Sequence, residues 1–177
     1  MDSFFEDADA YGRDPLEPAA RSREEVLLDQ PLRSLELRSP LSLDASRPAS
    51  EAIRMMREHR NGSVLVTSAG VLVGIFTERD VLTRLALGER DPAATPLAEV
   101  MRPDPETLTP DDPMVFALNV MSLGGFRHIP LVGAGGVPMG VVSVRDIVNH
   151  LVDHFPDKVL NLPPRPGADI ANSREGA

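Results

Sequence analysis

The 177-residue sequence predicts an α/β protein built from two copies of one βαββα unit, and three observations carry that prediction. A seven-residue phrase occurs twice, GIFTERD at Gly74 to Asp80 and GVVSVRD at Gly140 to Asp146, 66 positions apart. Each reads as glycine, two apolar residues, a hydroxyl residue, one variable residue, arginine and aspartate. The match continues upstream at a spacing of 65, with Pro48 to Met56 (PASEAIRMM) on Pro113 to Met121 (PMVFALNVM), and PLSL at Pro40 to Leu43 on PETL at Pro105 to Leu108. The hydrophobic period also switches between helix and strand in the same order in both copies, which marks a duplicated supersecondary unit. The units run from about residue 32 to 90 and from about 97 to 155. The organisation predicted is an acidic tail over 1–30, a first repeat over 31–92, a second over 93–158 and a proline-rich tail over 159–177.

Each element has a local reason. Leu41 and Leu43 predict a short extended piece. Pro48 marks the first turn of a helix, where a missing N–H costs nothing, and Ala49, Ala52, Ile53 and Met56 recur at i, i+3, i+4 and i+7. In the second copy Asp112 is the expected N-cap, followed by Ala117, Leu118 and Met121. Val64 to Val66, a turn at Ser68 to Gly70 and Val71 to Phe76 read as a hairpin, repeated by Ile129 to Val132, the turn Gly133 to Gly136 and Val137 to Val142. A closing helix carries Val81, Leu82 and Leu85, or Ile147, Val148 and Leu151. A unit of roughly 60 residues is marginal alone, so the two are expected to pack sheet to sheet with pseudo-two-fold symmetry.

This duplicated pattern resembles a tandem pair of CBS domains, the arrangement called a Bateman module. The resemblance rests on Gly-h-h-(Ser/Thr)-x-x-Asp in both copies (h, apolar), on the apolar helix opening with its Ala and Met, and on RHIPLV at Arg127 to Val132. It implies a non-catalytic regulatory protein whose ligand is an adenine nucleotide (AMP, ADP or ATP) held between the repeats. S-adenosylmethionine or another adenosyl compound is the alternative ligand.

Composition sets limits. No apolar run approaches the roughly 20 residues of a membrane span, and Asp2, Glu6, Asp7 and Asp9 are the opposite of a basic signal-peptide start. The absence of cysteine excludes disulfides and thiolate metal sites. A cytoplasmic protein is therefore expected. Residues 1–30 hold nine acidic and three basic side chains, so that −6 of the chain's −9 lies there. Such a tail repels nucleic acid and anionic lipid, and neither is expected as a partner. The first 25 or so residues and those beyond Pro164 are expected to be mobile, with Val26 to Leu28 able to form a short docking helix. Phe155, Val159, Leu160 and Leu162 are expected to pack on the module.

The repeated phrase places Thr77 and Ser143 at helix N-caps and Asp80 and Asp146 at the third helical position. Two readings follow. One is a capping box, in which hydroxyl and acid satisfy each other's backbone amides. The other is a phosphate site at a helix N-terminus, with the carboxylate accepting from both hydroxyls of a ribose. Capping alone does not ask for a glycine at a fixed place in the preceding strand. The family resemblance implies the second reading: Asp80 and Asp146 hold the ribose, and Thr77, Ser143, Arg79 and Arg145 contact phosphate. It also implies a base near Ser42 and Leu43, or near Thr107 and Leu108, with Ile75 and Val141 on its face. Arg127 and His128 are implied as phosphate-facing. The first repeat has Arg60-Asn61-Gly62-Ser63 there instead, so the two clefts are expected to be unequal.

Other groups are weaker candidates. His150 and His154, with Asp153 or Asp157 nearby, are one helical turn apart and could hold a metal, but histidines near a helix C-terminus commonly complement its dipole. The methionines fall mostly on apolar faces. No Ser/His/Asp constellation occurs, so no catalytic residues, metal or cofactor are expected. Three classes remain: a ligand-sensing regulator, a dimerisation or interaction module with empty clefts, and a metal-dependent enzyme. A homodimer is expected, paired through the Ala- and Met-rich stripes at Ala49 to Met56 and Met114 to Met121. The regulated partner is not legible.

Overall fold

The computed structural model describes residues 21–37 and 39–156. The expectations for residues 1–20, for those beyond Pro164 and for the packing of Val159 to Leu162 lie outside these residues, whereas Arg23 to Glu25, within the stretch expected to be mobile, form the capped first turn of a helix. Helix α1 (Arg23–Leu28) opens on a Ser22/Glu25 capping box and buries Leu27. The first repeat follows with β1 (Ser42–Asp44), α2 (Ala49–His59), β2 (Ser63–Ser68), β3 (Val71–Thr77) and α3 (Glu78–Asp80), which continues as a π-helix over Val81–Ala86. A linker forms α4 (Leu97–Val100) and β4 (Arg102–Pro103). The second repeat comprises α5 (Met114–Gly124), β5 (His128–Val132), β6 (Pro138–Ser143) and α6 (Val144–His154). No helix among the described residues is long and apolar enough to cross a membrane.

The hairpins form where predicted. Ala69 and Gly70 both adopt positive φ between β2 and β3, as a two-residue turn matched to strand twist requires. The first sheet has the order β1-β2-β3-β4, with β1 parallel to β2 and the others antiparallel. The second pairs only β5 with β6, and the counterpart of β1 shrinks to a parallel bridge between Leu108 and Leu131. The duplication survives in detail: each hairpin has a register shift, at Val66/Thr67 and at Leu131/Val132. Glu78 N donates to Gly62 O and Val144 N to Arg127 O, both at 3.2 Å.

Two cores result, and each contains residues from outside its own repeat. The first gathers Ala49, Ala52, Met56, Val64, Val66, Phe76 and Leu85 with Leu97 and Val100 of the linker. The second gathers Met114, Ala117, Met121, Ile129, Leu131, Val142 and Ile147 with Leu32 and Leu35 from the start of the first repeat. The entry segments are thus exchanged: Pro31 bridges Pro113, and Pro48 bridges Pro96. This changes two sequence expectations. Pro48 and Pro113 are themselves the N-cap residues, without side-chain caps, because backbone carbonyls of the exchanged segments meet the first helical amides. Ala49 N donates to Thr95 O, Ser50 N to Pro92 O and Met114 N to Gln30 O. Asp112 caps no helix; it accepts from Thr109 N at 2.6 Å and Thr109 Oγ1 at 2.9 Å.

The exchange also explains the first motif glycine. A Cβ at Gly74 would collide with Met101 Sδ and approach Arg102 O to 3.0 Å, where the linker crosses β3. At Gly140 the neighbours are Leu37 and Leu131, each 3.8 Å from such a Cβ, an ordinary contact. Close chain passage therefore accounts for glycine at 74 but does not demand it at 140. The Ala/Met stripes proposed for dimerisation are consumed inside the cores, where Ala49, Ala52, Met114 and Ala117 are fully buried.

Leu32→Ala and Leu97→Ala should each destabilise the protein by about 2–5 kcal/mol, the usual cost of emptying a buried leucine site. In urea denaturation each change should shift one transition shared by both repeats. A fragment of residues 93–158, lacking Leu32 and Leu35, should show no cooperative unfolding.

Candidate functional site

Both repeated phrases close as capping boxes. Asp80 Oδ2 accepts from Thr77 Oγ1 at 2.6 Å and Thr77 N at 3.0 Å, while Asp80 N donates back to Thr77 Oγ1 at 3.4 Å. Asp146 Oδ2 accepts from Ser143 Oγ at 2.6 Å and Ser143 N at 2.8 Å, and its amide donates to Ser143 Oγ at 3.3 Å. The motifs differ at the carboxylate's second oxygen. Arg84 Nε lies 3.2 Å from Asp80 Oδ1, and Asp80 is buried. The position equivalent to Arg84 is His150, and no ion pair to Asp146 occurs among the described residues.

A cleft partly open to solvent, with an enclosed volume of about 100 Å³, lies between the repeats. The first repeat contributes Gly62, Ile75, Thr77, Glu78 and Arg79; the linker contributes Arg102, Pro105 and Glu106; the second repeat contributes Gly125, Phe126, Arg127 and His128. Strand register explains the floor. Ile75 pairs with Leu65 on one side and Arg102 on the other, so these three side chains share a sheet face, with Thr77 opposite Ser63 in the next row. Gly62 leaves space for the other wall: a Cβ there would come within 3.3 Å of His128 Cε1 and 3.5 Å of Glu78 Oε2. Gly124 similarly makes way for the Phe126 ring.

The cavity brings together Ile75, Thr77, Arg79, Arg127 and His128 of the residues predicted from sequence. It joins Arg127 and His128 to the first motif across the cleft, although His128 pairs with Ser143 along the strands. Ser143, Arg145, Asp146 and Val141 do not line it. Asp80 lies beneath Thr77 without forming the wall. The predicted base contacts are also displaced. Leu43 packs on the first core and Leu108 on the second, Ser42 and Thr107 are exposed, and the adjoining Pro105 and Glu106 line the cavity instead. Arg102, Glu106, Glu78 and Phe126 were missed by sequence reasoning. The signal available for Arg102 was its place after the repeated Leu-x-x-Val/Leu segment, where the first copy has Leu37.

His150 and His154 lie with ring centroids 4.3 Å apart, and His154 Nδ1 is 2.8 Å from His150 O. No group of three or more potential metal ligands gathers among the described residues.

The CBS domain family profile matches residues 32–87 and 97–153. The chain belongs to the CBS-domain family and carries the domain as a tandem pair. It is 38% identical over 105 residues to an uncharacterized 17.7 kDa protein of Acidianus ambivalens, covering 59% of this chain and 62% of that one. It is 29% identical over 117 residues to the mitochondrial CBS domain-containing protein CBSX3 of Arabidopsis thaliana, covering 63% and 56%. The match thus spans less than two thirds of these relatives. Among solved structures, a CBS domain protein of Pyrobaculum aerophilum complexed with AMP is 26% identical with a TM-score of 0.62, covering 70% of this chain and 96% of that one. A CBS domain pair in complex with 5′-methylthioadenosine and S-adenosylmethionine is 21% identical over 71% of this chain and 98% of its own, with a TM-score of 0.64, a likeness of fold.

His128 is the titrating group of the cleft. Burial holds its pKa below the ordinary 6.5, and Arg127 adds to the effect, against the opposing pull of Asp146 and Glu78. The unfolded chain therefore takes up the proton first as pH falls. The stabilisation is full above about pH 6.5 and is lost as pH drops through the lower folded value. His150 is lowered as well, by burial and then by His154. Stability should decline with acidification below about pH 6.5, and His128→Gln should decline less steeply, retaining the His150 share. Urea midpoints across pH for the two proteins check this; identical slopes would show that His128 is not desolvated.

Proposed function

We propose that the protein is a non-catalytic regulatory module that binds an adenine nucleotide in the cleft between its CBS repeats and transmits occupancy to a protein partner. The observation that supports this most is the convergence in one cavity of Thr77 and Arg79 with Arg127 and His128, above the apolar side chains of Ile75 and Phe126. Phosphate meets the two guanidinium groups and the Thr77 hydroxyl. The base stacks against Ile75 and Phe126. The ribose lies toward Asp80, beneath Thr77, and reaches its Oδ1 only if Arg84 gives up its contact there. AMP in the Pyrobaculum relative is consistent with this reading. The capping box and the ligand site then use the same carboxylate, with one oxygen each.

The module acts in the cytoplasm as a homodimer in this proposal. Leu82, Leu87, Phe116, Leu123 and Val148 leave much of their surface in water, Leu123 as much as 82%. Isologous pairing is the commonest way to cover such side chains. The same residues favour the alternative reading, an interaction module with no bound nucleotide.

Arg127→Ala should weaken AMP binding by about tenfold or more, since a charge-assisted contact is worth about 1.5–3 kcal/mol. Adenosine, which has no phosphate, should lose little. Asp80→Ala should weaken both, because both carry the ribose. Titration calorimetry makes the comparison, and equal losses of AMP and adenosine in the Arg127 variant would make that arginine structural. Mass spectrometry of small molecules released from the purified protein separates the readings: an adenine compound supports the sensor. A light-scattering mass of one chain at micromolar concentration would reject the dimer.

A further inference from the structure

We infer that Arg84 is an internal stand-in for the ligand at Asp80, and that its release carries occupancy of the cleft to the helix segment 81–87; this rests on the nucleotide-binding reading above. Asp80 is 4% exposed, and its Oδ2 is taken by the Thr77 hydroxyl and amide. Oδ1 has Arg84 Nε at 3.2 Å. A buried carboxylate oxygen left without a donor is costly, so Oδ1 is met either by Arg84 or by hydroxyls that replace it. The Arg84 side chain is 41% exposed, so its guanidinium can turn to water without crossing the core. The second repeat is an internal control. His150 stands at the position of Arg84, Asp146 is only half-buried, and no ion pair reaches it among the described residues.

The element that carries Arg84 differs as well. Val81–Ala86 is a π-helix, closed by Leu87 N on Leu82 O at 3.1 Å, whereas the same stretch of the second repeat lies inside the regular helix α6. Such turns are rare and gather at functional sites. Arg84 supplies a contact that holds this one: besides meeting Asp80, its Nη1 donates to Met101 O at 2.8 Å. Met101 lies where the linker crosses β3, and the next residue, Arg102, lines the cleft. One side chain therefore ties the motif acid, the linker and the helix segment together. On the outer side of that segment Leu82 is 64% and Leu87 81% exposed. Ribose hydroxyls arriving at Oδ1 take the place of Nε. Arg84 then leaves Asp80, and the segment bearing Leu82 and Leu87 loosens.

Adenosine is the probe, because it brings the ribose without a phosphate, on which the loss of a cation would act directly. Titration calorimetry compares wild type, Arg84→Met, Asp80→Ala and the double variant. A contact that occupies Oδ1 about nine-tenths of the time lowers apparent affinity about tenfold, so Arg84→Met should bind adenosine about tenfold tighter than wild type. With Asp80→Ala already in place, the same change should gain less than about twofold. Hydrogen exchange at the Leu85, Ala86 and Leu87 amides of wild type should quicken when adenosine binds, and in Arg84→Met those amides should exchange fast without ligand. Equal or weaker binding of adenosine by Arg84→Met overturns the inference and leaves the nucleotide reading intact. Absence of binding of both adenosine and AMP in wild type and every variant overturns both. A gain that persists in the Asp80→Ala background would place the competition elsewhere and also overturn the inference. Tighter binding with unchanged exchange overturns the relay to segment 81–87. Should Arg84→Met fail to fold, exchange in wild type decides alone: slower or unchanged amides at Leu85 to Leu87 on adenosine binding overturn the inference.

Discussion

The exchange of entry segments is the constraint on which the rest of the molecule depends. Leu32 and Leu35, at the start of the first repeat, complete the second core, and Leu97 and Val100, at the start of the second, complete the first. The same passage supplies carbonyl acceptors to the amides that open α2 and α5, so those helices start at proline and need no side-chain cap. It also forces glycine at position 74, because the linker crosses β3 where a Cβ would stand. Neither repeat owns a full core, which holds the two together and creates the cleft between them.

Much of this organisation was legible in the sequence, for reasons that are local. The helix stripes, the two hairpins, the short helix at Val26 to Leu28 and the Thr77/Asp80 and Ser143/Asp146 caps all follow from periodicity and turn chemistry within a few residues. What sequence could not supply was the destination of each segment. Asp112 has the chemistry of an N-cap but faces Thr109, since the helix amides are taken by Gln30 O. Leu43 and Leu108 alternate toward the cores, so the cavity wall falls to Pro105 and Glu106. Glycine at 74 is a packing requirement, because the linker crosses there. Arg127 and His128 line the cleft, and the motif they share it with belongs to the other repeat.

The motif carboxylates resolve the choice between capping and ligand binding differently from how sequence posed it. Oδ2 of each aspartate is saturated by its own N-cap residue, a contact worth about 1 kcal/mol to the helix. Only Oδ1 is available for a ligand. In the first motif that oxygen is already paired with Arg84, which also donates to Met101 O at 2.8 Å. The π-helical turns that follow, with Leu87 N reaching Leu82 O, lie in the segment that carries Arg84. In the second motif His150 stands in its place and turns its ring toward His154. The two acids are therefore equivalent as caps and inequivalent as acceptors.

The inequality extends to the whole cleft, and its pattern is informative. Groups that shape the fold are duplicated: hydroxyl, aspartate, glycine, proline and the buried aliphatics recur in both repeats. Arg102, Arg127, His128, Glu78 and Glu106 occur on one side only, and their counterparts are small or apolar. Placing His128 in this cleft disfavours its charged form, first through burial and then through Arg127, against the pull of Asp146 and Glu78. The duplicate manages without these groups, so the fold does not demand them. The architecture makes the cleft, and the departures from internal symmetry give it its charged lining.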